Sequence, residues 1–189
     1  EHDRWRLTLG EAAMVADRVV IATGGLSVPA TGSTGFGFDL ARALGHTVHP
    51  PYAALTPLTA EPHPQAALAG ISLEVAIEAH SARERAQSHG GFLVTHRGYS
   101  GPAVLDVSHV AVRSLDAGGA RARVRVSWST HDADTWRAEL LEARGLAVNL
   151  VARYLPQRLA EALVDAAEVP RGRTCVQLRR DERARLVSV

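Results

Sequence analysis

The stretch Val19-Val20-Ile21-Ala22-Thr23-Gly24-Gly25 constrains this chain more than any other. Val19 to Ala22 is a short, continuous apolar run of β-branched and small residues. That is the pattern of a strand buried on both faces, and Asp17 to Ala22 is expected to form it. Two adjacent glycines end the run, and their missing Cβ atoms let backbone come close to another group. Pro29, Gly32, Gly35 and Gly37 follow, then Phe38, Leu40, Ala41 and Leu44 at helical spacing. The order is strand, glycine-rich loop, helix, with Gly45 placed to end the helix in a left-handed turn. In open α/β sheets ligands sit beside such loops, at the carboxyl ends of strands. The residues alone leave two readings open: a nucleotide contact, or a tight connection that holds no ligand.

The remainder of the chain changes character twice. Arg4 to Leu9 alternates apolar and polar residues as a half-exposed strand does, with Gly10-Glu11 as a turn and Ala12 to Val15 pairing back. Pro50, Pro51, Pro57, Pro62 and Pro64 exclude a helix across that segment. Ile71, Leu73, Val75 and Ile77 then alternate with polar or small residues, Gly90-Gly91 punctuates, and Phe92 to Thr95 reads as a strand. Val104, Leu105 and Val107, extended through Val110 to Val112, read as another. Ala122, Val124, Val126 and Trp128 alternate with Arg121, Arg123, Arg125 and Ser127. Short strands at this spacing predict a small antiparallel β-barrel over residues 51–131. From Asp132 the period becomes helical. Thr135 to Arg144, Val148 to Leu155, a helix opened by Pro156, and Asp181 to Val187 predict a helical bundle over 132–189.

Composition narrows the function classes. A net charge of +1 indicates neither a nucleic-acid nor a membrane partner. All 21 basic residues are arginine, so lysine Schiff-base chemistry and a P-loop lysine are excluded for this chain. The Arg121, Arg123, Arg125 row reads as a solvated sheet face, and Trp128 and Trp136 as core anchors. Cys175 stands alone, which excludes an intrachain disulfide and fits a cytoplasmic setting. His46-x-x-His49 lies beyond Gly45 and against Pro50, off any helix, and is not read as a metal site.

The wording of Ala16 to Leu58, ADRVVIATGGLSVPATGSTGFGFDLARALGHTVHPPYAALTPL, resembles the BaiN-type family of NAD(P)/FAD-dependent oxidoreductases, which includes aminoacetone-oxidase-like flavoproteins. GGFLVTHRGYSGPAVLDVS (Gly90 to Ser108) is similar to that family's insert motif TH-x-G-x-SGP-x-x-L, and NLVARYLPQRLAEAL (Asn149 to Leu163) to its helical segment. The resemblance implies an α+β chain in three parts. Residues 1–50 would be the trailing part of a Rossmann-like FAD-binding α/β domain, and an inserted antiparallel β-barrel and a small helical bundle would follow. It implies FAD as cofactor, NAD(P)H as an electron donor, and a small-molecule substrate. Glu1 stands where a full protein would have Met, and the family's GxGxxG is absent, so the chain is expected to be a segment of a longer oxidoreductase. The alternative is a stand-alone barrel-plus-helix module that binds a partner without flavin.

Two sets of site residues follow. Ala22, Thr23, Gly24, Gly25, Thr34 and Gly35 are the cofactor-contact candidates. The family carries an acidic residue inside GSTG-x-G, where this chain has Phe36; Asp39 is the nearest substitute. Thr95, His96 and Ser100 are the substrate-cavity candidates, with His96 the one general acid/base candidate in a distinctive setting. The competing reading is structural: Gly98, Gly101 and Pro102 make a sharp loop, and Thr95, His96 and Ser100 bond its backbone.

Overall fold

The computed structural model describes residues 4–116 and 120–189; Glu1, at which the chain opens, lies outside them. The chain divides into two compact units, residues 1–51 and 52–189.

In the first unit, β1 (Trp5–Leu9) and β2 (Ala12–Ala16) form an antiparallel hairpin with Leu9 opposite Ala12. Gly10 opens the two-residue turn at φ 61°, at the position a type II′ turn reserves for glycine. Arg4 and Asp17 pair across the open end at 2.8 Å. The expected strand at Asp17 to Ala22 is not formed. Among the described residues no strand pairs with it, and Val20 and Ile21 are 87% and 45% exposed. A strand buried on both faces exists only between neighbours, and the β1–β2 ladder ends before residue 17. Helix α1 (Phe36–Ala43) begins two residues earlier than the periodicity predicts, because Gly35 enters it at φ 86°. It ends as expected. Gly45 stands at φ 85°, its N–H donates to the Arg42 carbonyl, and His46 N–H donates to the Ala41 carbonyl, both at 3.0 Å. That paired pattern is a Schellman cap.

The second unit is built on a five-stranded antiparallel sheet in the order β3-β6-β5-β4-β7. Its strands are β3 (Leu58–Thr59), β4 (Ser72–His80), β5 (Arg85–Thr95), β6 (Gly98–Ser100) and β7 (Arg123–Ser127). The predicted alternation on β4 is realised: Val75, Ile77 and Ala79 are buried, and their neighbours face outward. Gly90-Gly91 does not interrupt the sheet as expected; β5 runs straight through it. Pro102 of the following helix lies over the strand there, and a Cβ on Gly91 would make ordinary contact with Pro102 Cδ at 3.4 Å. The strand expected over Val104 to Val112 is a helix, α2 (Pro102–Asp116). Pro102 occupies its first position, where the missing N–H costs nothing. Ala103, Val104, Val107 and Val110 are fully buried at helical spacing against the sheet. The β-branched residues mimic a strand, and tertiary packing overrides their propensity. Ser108 and Ser114, both buried, fasten passing backbone to α2. The Ser108 hydroxyl accepts from Thr56 N–H at 3.2 Å, and that of Ser114 from Ala122 N–H at 3.0 Å.

Four helices follow: α3 (Ala133–Glu142), α4 (Ala147–Val151), α5 (Gln157–Ala166) and α6 (Arg180–Ser188). Asp132 caps α3, accepting from Thr135 N–H at 2.8 Å. Pro156 precedes α5 by one residue, and Leu159, Ala160, Leu163 and Val164 form its buried face. One hydrophobic core runs from Val75 and Phe92 on the sheet through Val107 to Leu140, Leu159 and Leu186 on the helices. Among the described residues no helix is long and apolar enough to cross a membrane.

Candidate functional site

The six cofactor-contact candidates lie on one folded loop. Ala22, Thr23, Gly24 and Thr34 are exposed, Gly25 is half-buried, and Gly35 is buried. The loop closes on itself through its glycines. A Cβ on Gly24 would meet Ser33 Oγ at 2.5 Å, one on Gly37 would meet Thr23 Oγ1 at 2.6 Å, and one on Gly35 would meet Leu26 Cδ2 at 2.8 Å. The structure thus brings Thr23-Gly24 against Ser33 to Gly37, uniting both halves of the candidate set at the N-terminus of α1. The first-turn amides of Phe36 and Gly37 have no acceptor within the helix. Phe36 is exposed, and Asp39, the substitute acidic residue, is held in an exposed pair with Arg42 at 2.8 Å.

The second candidate set lies on the β5–β6 hairpin. His96-Arg97 is its two-residue turn, and His96 is exposed at the tip. Of the three side chains expected to brace the loop, Thr95 does so. Its hydroxyl donates to the Gly98 carbonyl at 3.0 Å and accepts from Arg97 N–H at 3.3 Å. Among the described bonds, His96 and Ser100 side chains take no part, which corrects that detail of the expectation: the turn points His96 outward, away from the backbone it was to hold. The glycines explain most of the motif. A Cβ on Gly101 would stand 2.4 Å from the Gly91 carbonyl oxygen, and Gly98 is tighter still against β3.

Sequence reasoning missed His63. Its Nε2 hydrogen donates to the Thr95 carbonyl at 2.9 Å, its ring meets Tyr99 edge-on at 5.1 Å, and its Nδ1 is buried without a partner. Burial pushes the Tyr99 hydroxyl pKa up. His63 sits in the proline-rich segment with no helical or strand period around it, so nothing in the sequence ties it to Thr95. Glu182 was missed too. It is 1% exposed, accepts from Arg179 N–H at 2.8 Å and from the guanidinium groups of Arg173 and Arg179 at 3.2 and 3.3 Å. These contacts, the Arg179 amide first, hold its carboxyl below the usual carboxylate range.

Inside the sheet lies a cavity of about 840 Å³, walled by Ile77, Phe92, Tyr99 and Val126 and by helical Trp136, Leu140 and Leu163. Trp128 and Trp136 pack against the core as expected. Their indole N–H groups donate to the Val189 carbonyl at 3.2 Å and to Ser129 Oγ at 3.1 Å.

The family profile described as HI0933-like protein barrel and H2TH domain matches residues 52–189, well over half of the chain. The chain belongs to the HI0933-like family. Its barrel corresponds to the curled sheet, and its helical part to α3–α6. The BaiN-type resemblance stands at this broader level, with oxidoreductases among the relatives. The chain is 40% identical over 111 residues to the ribosomal RNA dihydrouridine synthase of Haemophilus influenzae, covering 58% of this chain and 27% of that protein. It is 36% identical over 114 residues to the 3-dehydro-bile acid delta(4,6)-reductase of Clostridium scindens, covering 60% and 28%. It is 29% identical over 174 residues to the Escherichia coli ribosomal RNA dihydrouridine synthase, covering 87% and 40%. The chain therefore spans 27 to 40% of the length of these HI0933-like relatives.

Proposed function

We propose that this chain is part of an FAD-dependent oxidoreductase. Residues 1–51 contribute an edge of a Rossmann-like flavin site, and residues 52–189 form an insert that borders the substrate space. The observation that carries the reading is the loop from Thr23 to Gly37, closed through glycines onto the N-terminus of α1. The residues there fit an oxygen-rich group: the Phe36 and Gly37 amides and the Thr23 and Thr34 hydroxyls would bind ribose or phosphate oxygens. The exposed Val19–Ile21 run supports the same reading, because such a run is stable only with strands on either side of it.

When bound, the flavin supplies hydride chemistry. The relatives' names share a reaction type: dihydrouridine is uridine with a ring double bond reduced, and a delta(4,6)-reductase reduces ring double bonds. We place this chain's parent in that class, acting on a carbon–carbon double bond conjugated to a carbonyl. The substrate is a small ring compound, in keeping with a net charge of +1. NAD(P)H as electron donor belongs to the same proposal. A second reading, ribosomal RNA as substrate, is favoured by the names of two relatives.

The test is on the full-length protein. Purified protein should carry flavin near one per chain, and the bound flavin, once reduced by NAD(P)H, should be reoxidised by a cyclic enone, whose double bond takes up the two electrons and two protons. Reoxidation by ribosomal RNA alone, with dihydrouridine formed, would shift the assignment to the second reading. Absence of flavin from a well-folded full-length protein would overturn the proposal in favour of a binding module.

A further inference from the structure

We propose that the sheet of residues 52–189 is completed by an extended segment of the full-length protein from outside these 189 residues, seated between β3 and β7 as at least one further strand. Among the described residues, in the order β3-β6-β5-β4-β7, the two terminal strands each have a partner on one side only. Both terminal strands nevertheless line the same cavity, Leu58 and Thr59 from one side, Val124 and Val126 from the other. The sheet has therefore curled until its free edges share one opening.

The chemistry of the opening selects its occupant. Val124, on the inward-facing side of β7, is 37% exposed, while the equivalent Ala79 and Ile77 on β4 are buried. An unpaired strand edge presents N–H and C=O groups, and beside an apolar wall these need both hydrogen bonds and apolar cover. A β-strand supplies both at once, with backbone to the edge and alternate side chains to the cavity. Arg121, Arg123 and Arg125 recur every second residue along this edge and line its rim. The incoming strand is therefore one whose outward residues are acidic and whose inward residues are apolar. The source is the same polypeptide, because the chain spans only 27 to 40% of its relatives' length. The inference rests on the family assignment and on the reading of the chain as part of a longer protein.

Hydrogen exchange decides it, with the 189-residue chain and the full-length protein compared. The peptides to follow cover residues 121–128 and 57–60, and the β4–β5 ladder is the internal standard. The expected result is rapid exchange at β7 in the shorter chain and at least about 100-fold slower exchange in the full-length protein. Binding of an apolar fluorescent dye should be lost in step. Equal protection of β7 in both proteins would overturn the proposal, as would protection in the shorter chain that rises with its concentration, the mark of a second copy in the gap. Where the β4–β5 ladder of the shorter chain is itself unprotected, the full-length Arg121→Glu/Arg123→Glu variant decides. It should speed β7 exchange at least about 10-fold and leave β4–β5 unchanged, and no change would overturn the acidic strand. None of these readouts needs flavin or turnover, so they fail or succeed independently of the proposed function.

Discussion

Gly98 lies so close to Leu58 that a Cβ on it would stand 2.1 Å from the Leu58 carbonyl oxygen and 2.8 Å from Thr59 Cα. Its φ of 146° also lies where L side chains rarely go. The glycine in Thr95-His96-Arg97-Gly98 is thus what allows β3 to dock on β6. Gly98→Ala should destabilise residues 52–189 by about 2–4 kcal/mol, since backbone, unlike a side chain, cannot step aside. A urea midpoint unchanged from the parent would refute the close contact.

His63 and His96 should behave oppositely. His63→Ala removes the donor to the Thr95 carbonyl and the edge contact on Tyr99, and should cost about 1–2 kcal/mol of stability. His96→Ala, at an exposed turn, should stay within about 0.5 kcal/mol. Thermal melts of both variants check the pair. If His96→Ala instead lowers the proposed turnover of the full-length protein at unchanged flavin content, His96 faces the substrate.

Gly24→Val should lower flavin content of the full-length protein while the barrel stays folded. Gly24 stands at φ 71°, where a β-branched residue is strained, and its Cβ would meet Ser33 Oγ at 2.5 Å, so Ser33 must also shift. The visible spectrum reads the flavin, and circular dichroism the fold. Retention of full flavin occupancy would remove this loop from the cofactor site.

Glu182 should make residues 52–189 sensitive to acid. Its folded-state pKa lies below its unfolded value, so its stabilisation is complete above about pH 4.3, where an unfolded glutamate titrates. It is lost as pH falls from there through the folded pKa. Glu182→Gln should flatten that part of the pH–stability curve, at a stability below the parent's at pH 7, because two guanidinium groups then lose their anion. Melting temperature against pH, from 7 to 3, tests both parts.

Much of the fold was legible where local rules suffice. The turn at Gly10, the Schellman cap at Gly45, the alternation through Val75 and Ile77 and the apolar stripe of α5 each depend on residues within a few positions of one another. The contact between Thr23-Gly24 and Ser33 to Gly37 was legible as a glycine-rich loop, though not as a loop that packs against itself.

What sequence alone determined, then, are these local elements and the motifs that mark the family, because periodicity, turn chemistry and capping act over one or two turns of chain. Tertiary structure decided the rest. Val104, Val107 and Val110 are β-branched, and only the Pro102 start and the sheet beneath them make that segment α2. Gly90-Gly91 looks like a break, yet it is continuous strand because Val75 and Glu74 of β4 pair with both glycines. Val19 to Ala22 has a buried strand's composition but remains exposed where, among the described residues, no neighbour pairs with it. His63 reaches Thr95 across 32 positions of sequence, and burial against a partner so distant is not encoded in either neighbourhood.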